Sequence, residues 1–224
     1  MFFVSDSVAL NEAQSTKYTD QMTTMTPYSR SETLLGTALA PMDWTRSVSL
    51  VFAFSLFNAV AAQFSLNIGP IPITGQTFAV TLTGALLGSR LGALALIAYI
   101  VEGCSGLPFF ASGASGLGVL IGPHGGYIVS FPAAAYITGA FAENGWDRKF
   151  LTAAAAMAIG SILILIAGYC WLLVLRTPPA AAFMFGIKPF IIGDILKVLL
   201  AAAVLPTGWA ILKRKASQSP TSET

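Results

Sequence analysis

The chain has 224 residues, 55% of them hydrophobic and 10% charged, against about 45–50% and about 25% in soluble proteins. Of its 22 Lys, Arg, Asp and Glu residues, 8 fall in residues 1–46, 4 in 213–224 and only 10 in the 166 residues between, too few to clothe a soluble domain. That distribution excludes a soluble enzyme or a nucleic-acid binder and makes the middle an all-α polytopic membrane domain; the net charge of +2 points to no partner beyond membrane lipid.

Residues 1–43 are rich in Ser, Thr, Gln and Asp and show no sustained periodicity. Met1-Phe2-Phe3-Val4 runs directly into Ser5-Asp6, which leaves no apolar core for a signal peptide. The stretch reads as a polar, disordered cytoplasmic extension, with a short surface helix around Ser31–Ala40 its one candidate element. Residues 44–215 form the membrane domain and 216–224 a polar tail.

Ser47–Leu66 is 20 residues without a charge, enough to cross about 30 Å of hydrocarbon at about 1.5 Å per residue. His124–Ala142, Phe150–Leu175 and Pro189–Leu212 qualify as well. Thr77–Val101 is ambiguous, being either one span with a buried Arg90 or two short spans turning at Gly88-Ser89-Arg90-Leu91-Gly92. Loop charges decide. With two spans the total is six, and Arg46, Arg90, Arg148, Lys149, Lys213, Arg214 and Lys215 share one side, opposite Arg176 and Lys188. The positive-inside rule then places both termini in the cytoplasm and removes an unpaired Arg from the midplane. The two middle helices are short, so the adjoining outer loops are expected to dip into the membrane.

Those outer loops, Asn67–Gln76 and Gly103–Gly125, do not look solvated. The first carries no charge, and residues 103–126 hold 8 Gly and 2 Pro, which argues against a regular helix there. Irregular backbone at membrane depth is tolerated where protein buries it or where it lines a cavity. The two loops therefore read either as packed caps or as the wall and lid of a small-molecule pocket open to the outside. In the last span, Asp194 and Lys197 stand at i, i+3 on one helical face, about 8 and about 12 Å inward from Pro189. Intramembrane ionisable groups mark a ligand or ion path by default. An anionic, hydrogen-bonding solute suits them, with Lys197 for its charge and Asp194 as acceptor for its N–H donors.

Cys104, Cys170 and the single His give no metal framework and no disulfide scaffold; Cys170, inside an apolar run, is expected to pack as a small hydrophobe. No Gly-x4-Gly-Lys-Ser/Thr occurs, so ATP-driven transport would need another subunit. Small residues at Ser55, Ala59 and Ala62, and the Gly84-x3-Gly88-x3-Gly92 run, offer a surface for such a partner or for packing within the chain. Gly113-Ala-Ser115-Gly116 with His124 matches an intramembrane serine hydrolase only superficially, since nucleophile and base would share one Gly-rich segment. A proton- or sodium-coupled carrier using Asp194 is the other alternative.

Gly69-Pro-Ile-Pro-Ile-Thr-Gly-Gln-Thr77, Leu86-Leu-Gly-Ser-Arg-Leu-Gly92, Tyr99, Gly106-Leu-Pro-Phe-Phe-Ala111, Gly122-Pro-His-Gly-Gly-Tyr127 and Pro189-x4-Asp194-x2-Lys197 together resemble the BioY family. Its members are the biotin-specific substrate-binding (S) components of energy-coupling-factor (ECF) transporters. The resemblance runs from about Ser47 to Leu212. It implies a non-enzymatic, six-helix, multi-pass protein of the cell membrane that binds biotin from outside with high affinity. It also implies a separate transmembrane coupling protein and two ABC-type ATPase subunits, with biotin as cargo and no cofactor. Asp194 and Lys197 match the family's last-helix polar pair, Thr74 and Gln76 its first-loop motif, and Tyr99 and Tyr127 its aromatic positions. Two positions depart: His124 stands where the family commonly has Thr, and Gly75 where a larger apolar residue is usual.

Overall fold

The computed structural model describes residues 33–39, 43–66 and 71–218, nearly all of them helical. In chain order they form α1 (Leu34–Ala38), α2 (Trp44–Gln63), α3 (Gln76–Leu87), α4 (Ser89–Cys104), α5 (Leu117–Ile121), α6 (Gly125–Glu143), α7 (Phe150–Val174), α8 (Pro179–Gly186) and α9 (Lys188–Gln218). Between α2 and α3 lies a minimal antiparallel pair, β1 (Ser65–Leu66) and β2 (Ile73–Thr74), with Ser65 opposite Thr74 and Leu66 opposite Ile73. Single 3-10 turns occupy Ala111–Gly113 and Trp146–Arg148. Most of the polar extension, the start of the first outer loop (67–70) and the end of the tail (219–224) lie outside the described residues.

Among the described residues, three stretches are long and apolar enough to cross a membrane: α2, α7, and the run Pro179–Leu212 that covers α8 and most of α9. The ambiguous region Thr77–Val101 is two helices. The chain reverses at Gly88, whose φ of 87° is a backbone state that residues bearing a Cβ avoid. Gly92 comes back against Gly84, so close that a Cβ at Gly92 would sit 2.9 Å from the Gly84 Cα. Farther along, Gln76 meets Tyr99. Contacts at both distances from the turn make α3 and α4 an antiparallel hairpin. Arg90 is exposed in the first turn of α4, and Glu143 from the end of α6 accepts from the Ser89 N–H at 2.8 Å and the Ser89 hydroxyl at 2.9 Å. A carboxylate there satisfies a free helix-end donor and complements the helix dipole.

The small-residue runs are used within the chain. A Cβ at Gly84 would overlap the Ala135 carbonyl of α6. On α2, Ala59 and Ala62 are buried, and so is Ser55, whose hydroxyl donates to the Glu102 carboxylate of α4. Along α7 the buried residues are Ala153, Ala156, Met157, Gly160, Ser161, Ile164, Gly168 and Leu172, an inward stripe of helical period that lets α6 approach. Cys170 falls on the other face and is exposed, so the expectation that it packs internally is corrected.

Three further elements differ from the sequence reading. Leu117–Ile121 forms a single helical turn inside the Gly-rich loop. Pro179–Gly186 is a helix in the stretch left between the expected spans Phe150–Leu175 and Pro189–Leu212. α1 corresponds to the expected short helix, but it is packed: Leu34 sits against Gly208 of α9, and Thr33, its N-cap, is buried. The described residues belong to a compact unit spanning Glu32–Thr224.

The end of the molecule that carries the Gly88 turn is closed by a second polar contact. Asp147, in the 3-10 turn between α6 and α7, is 1% exposed. Trp209 of α9 donates its indole N–H to Asp147 Oδ2 at 2.6 Å, and the Arg148 guanidinium lies 4.9 Å above the Trp209 ring. Burial pushes the Asp147 carboxyl above its ordinary value, against the opposing pull of the Trp209 N–H and the Arg148 charge.

Candidate functional site

The opposite end of the bundle contains a cavity of about 180 Å³, far above the roughly 10–15 Å³ that one water requires. Its wall comes from residues distant in sequence: Pro72 and Thr74 of the β1–β2 region, Gln76 and Thr77 of α3, Phe110 and Val119 of the Gly-rich strap, Tyr127 and Phe131 of α6, Ile164 of α7 and Phe190 of α9. The lining is mostly apolar and aromatic with few polar groups, the composition of a small-molecule site.

The first loop supplies the polar wall. The Thr74 hydroxyl donates to Gln76 Oε1 at 3.0 Å and accepts from the Gln76 N–H at 3.2 Å, which ties β2 to the first turn of α3. Gln76 Nε2 donates to the Tyr99 hydroxyl at 2.7 Å, and Tyr99 in turn donates to the Phe109 carbonyl at 3.1 Å. Tyr99, fully buried, packs edge-on to Phe110 with ring centroids 5.6 Å apart. The strap that covers the cavity is thus held from below by α4. Gly75 permits this placement, since a Cβ there would lie 2.9 Å from the Ala61 carbonyl oxygen of α2.

Behind this wall stands the pair on α9. Thr77 Oγ1 donates to Asp194 Oδ1 at 2.9 Å. Lys197 Nζ donates to the Thr74 carbonyl at 2.6 Å, to Thr77 Oγ1 at 3.0 Å and to Asp194 Oδ1 at 3.2 Å. Asp194 is 6% exposed, and its Oδ2 is buried with no partner among the described residues. On the far wall the Tyr127 hydroxyl donates to the Gly186 carbonyl of α8 at 2.8 Å, and its ring stacks on Phe190 at 6.0 Å. The Tyr127 ring occupies the space that a Cβ on Gly168 would take.

Of the six residues singled out from sequence, Thr74, Gln76 and Tyr127 line the cavity. Asp194, Lys197 and Tyr99 stand one hydrogen bond behind it, reached through Thr77, Thr74 and Gln76. Sequence reasoning passed over Thr77, Phe110, Phe131 and Phe190. A signal for Phe190 was present, because it precedes Asp194 by four residues and Lys197 by seven, a single helical stripe. Ser115 is exposed and makes no hydrogen bond to His124, so the hydrolase arrangement is not assembled.

A family model described as the BioY family matches residues 25–214. The chain belongs to the BioY family. Among BioY relatives, a probable biotin transporter of Pyrococcus horikoshii is 37% identical over 71% of this chain and 93% of its own length. A biotin transporter of Thermotoga maritima is 34% identical over 67% of this chain and 88% of its own length. The fold is that of a BioY S component: a crystal structure of the S-component for biotin from an ECF-type ABC transporter superposes with a TM-score of 0.67. That likeness covers 73% of this chain and 90% of the other at 22% identity. The BioY match begins well before Ser47, in keeping with the packing of α1 on α9.

Proposed function

We propose that this chain is the biotin-capturing membrane subunit of an ECF transporter in the cell membrane. In this reading six helices (α2, α3, α4, α6, α7 and α9) span the bilayer, and both termini are cytoplasmic. The cavity faces outward, and the irregular segments around it dip into the outer leaflet. Biotin is the cargo, and no resident cofactor takes part. A separate transmembrane coupling protein and two ABC-type ATPase subunits drive release to the inside.

The observation that carries the reading is the cavity: a largely apolar and aromatic chamber with a polar wall of Thr74, Gln76 and Thr77, backed through Thr77 by the buried Asp194 carboxylate. A ureido ring brings two N–H donors for the polar wall, a thioether ring and alkyl chain bring surface for the apolar one, and such a ligand suits the chamber. The names carried by the family's relatives point to the same ligand. α3 and α4, about 18 and about 24 Å long at 1.5 Å per residue, fall short of about 30 Å of hydrocarbon, which supports loops that dip inward.

Uptake of labelled biotin by cells expressing the chain, with and without a coupling module, tests the reading. Accumulation that needs both supports it. Accumulation driven by a proton or sodium gradient with no ATPase present would replace it with a secondary carrier.

A further inference from the structure

Five side chains lining the cavity carry polar atoms: Thr74, Gln76, Thr77, His124 and Tyr127. Four of them bond within the protein: Thr74 with Gln76, Gln76 with Tyr99, Thr77 with Asp194 and Lys197, and Tyr127 with the Gly186 carbonyl. The His124 side chain makes no hydrogen bond among the described residues. A neutral imidazole offers one donor and one acceptor, and a protonated one offers two donors. A half-buried imidazole on the cavity wall is open to a group of the ligand.

The cation that the sequence suggests for a ligand's negative charge is already engaged. An ammonium has three donors, and Lys197 Nζ meets three protein oxygens, at 2.6, 3.0 and 3.2 Å. It does not line the cavity, and neither do Arg176 or Lys188. His124 does, and Ile128, one helical turn on, lines it too, an apolar neighbour that suits an alkyl chain. Its backbone is placed by its neighbour: the Trp171 indole of α7 donates to the Gly122 carbonyl at 2.9 Å, two residues before His124.

We propose that His124 receives the acid end of the ligand. The carboxyl group of the valeryl chain hydrogen-bonds the imidazole while the Thr74–Gln76–Thr77 wall, backed by Asp194, takes the ring. His124 is thereby the residue that sets this chain's preference for the free acid over its amide. The inference rests on the proposal that the cavity binds biotin, and it deepens that proposal.

The test is titration calorimetry on the full chain in detergent, with biotin and biotin amide as probes. Wild type is expected to prefer biotin. His124→Leu is expected to lose on the order of tenfold to hundredfold in affinity for biotin, the range for a hydrogen bond to a charged group. It should leave the amide within about threefold, so that the preference collapses. His124→Gln, which keeps a donor, should recover part of it, and Lys197→Met should weaken both probes alike. If His124→Leu does not fold by its melting curve, His124→Ala and His124→Gln carry the same comparison. A wild type that binds biotin without preferring it to the amide overturns this inference and leaves the biotin reading standing. So does a His124→Leu or His124→Ala variant that keeps the preference, or a Lys197→Met variant that loses it. A folded wild type that binds neither probe overturns both.

Discussion

Lys197→Met separates the ion pair's contribution to the fold from its part in binding. The substitution keeps length and apolar volume but removes a cation from beside a carboxylate whose residue is only 6% exposed. Breaking a buried pair by deleting one partner costs about 3–5 kcal/mol; the Lys197 side chain is 19% exposed, so the lower end, about 3 kcal/mol, applies. For a chain of this size that is a fall in melting temperature of about 6–12 °C. Asp194→Asn combined with Lys197→Met removes both charges. An Asn at 194 still offers an oxygen to the Thr77 hydroxyl, which leaves the Thr74 carbonyl as the acceptor without its donor, worth about 1 kcal/mol. The double variant should therefore melt only about 2–4 °C below wild type. Its affinity for biotin should nevertheless fall by tenfold to hundredfold, or about 1.5–3 kcal/mol, because the charge that backs the Thr77 hydroxyl on the cavity's polar wall is gone. Thermal melting in detergent, followed by tryptophan fluorescence, and calorimetry on the same samples give both numbers. A double variant that binds biotin like wild type would refute the reasoning and reduce the pair to a packing device. A Lys197→Met protein as stable as wild type would show that Asp194 does not depend on its neighbour.

Thr77→Val keeps the shape of α3 but cuts the link from the cavity wall to Asp194; biotin affinity should drop by roughly tenfold, with Tyr127 and the strap unaffected, as read by calorimetry. Gly168→Ala drives a methyl into the Tyr127 ring and should lower both melting temperature and biotin affinity by pushing Tyr127 off Gly186, whereas the same change at exposed Gly118, where a Cβ meets nothing within 4 Å, should do neither. Cysteines at exposed Arg90 and Ser112 should react with membrane-impermeant reagents from the cytoplasmic and external sides respectively; labelling of both from one side would reject the six-span topology. Because burial raises the Asp147 carboxyl above its ordinary value of 3.8, the folded state holds that proton more tightly than the unfolded one. Wild type should thus lose stability relative to Asp147→Asn as pH rises from about 4 through the raised value, and melting curves of the two proteins across that window should diverge; parallel curves would contradict it.

How much of this was legible in the sequence depended on whether a residue's role is set by its own neighbours in the chain. The break at Gly88 was readable because a midplane Arg90 is costly and a Gly–Ser–Arg turn is cheap, and the facing of Asp194 and Lys197 followed from helical spacing alone. The Thr74–Gln76 contact is likewise local, two residues apart. The rest needed partners remote in sequence. That Pro179–Gly186 forms a helix matters because its last carbonyl receives Tyr127, 59 residues away. Thr77 became visible only when α9 laid Asp194 against it, 117 residues on. Leu34 looked like part of a polar extension because its packing partner is Gly208. The Gly84–Gly88–Gly92 run was ambiguous for the same reason, since spacing states that a helix can be approached closely and not by which neighbour.

Titration of the purified, folded chain with biotin tests the central claim most directly, because it asks only whether the cavity holds the ligand. One-site binding with a submicromolar dissociation constant, abolished or strongly weakened by Asp194→Asn with Lys197→Met, is the predicted result. No heat and no thermal protection by biotin, on protein whose melting curve shows it folded, would contradict the account.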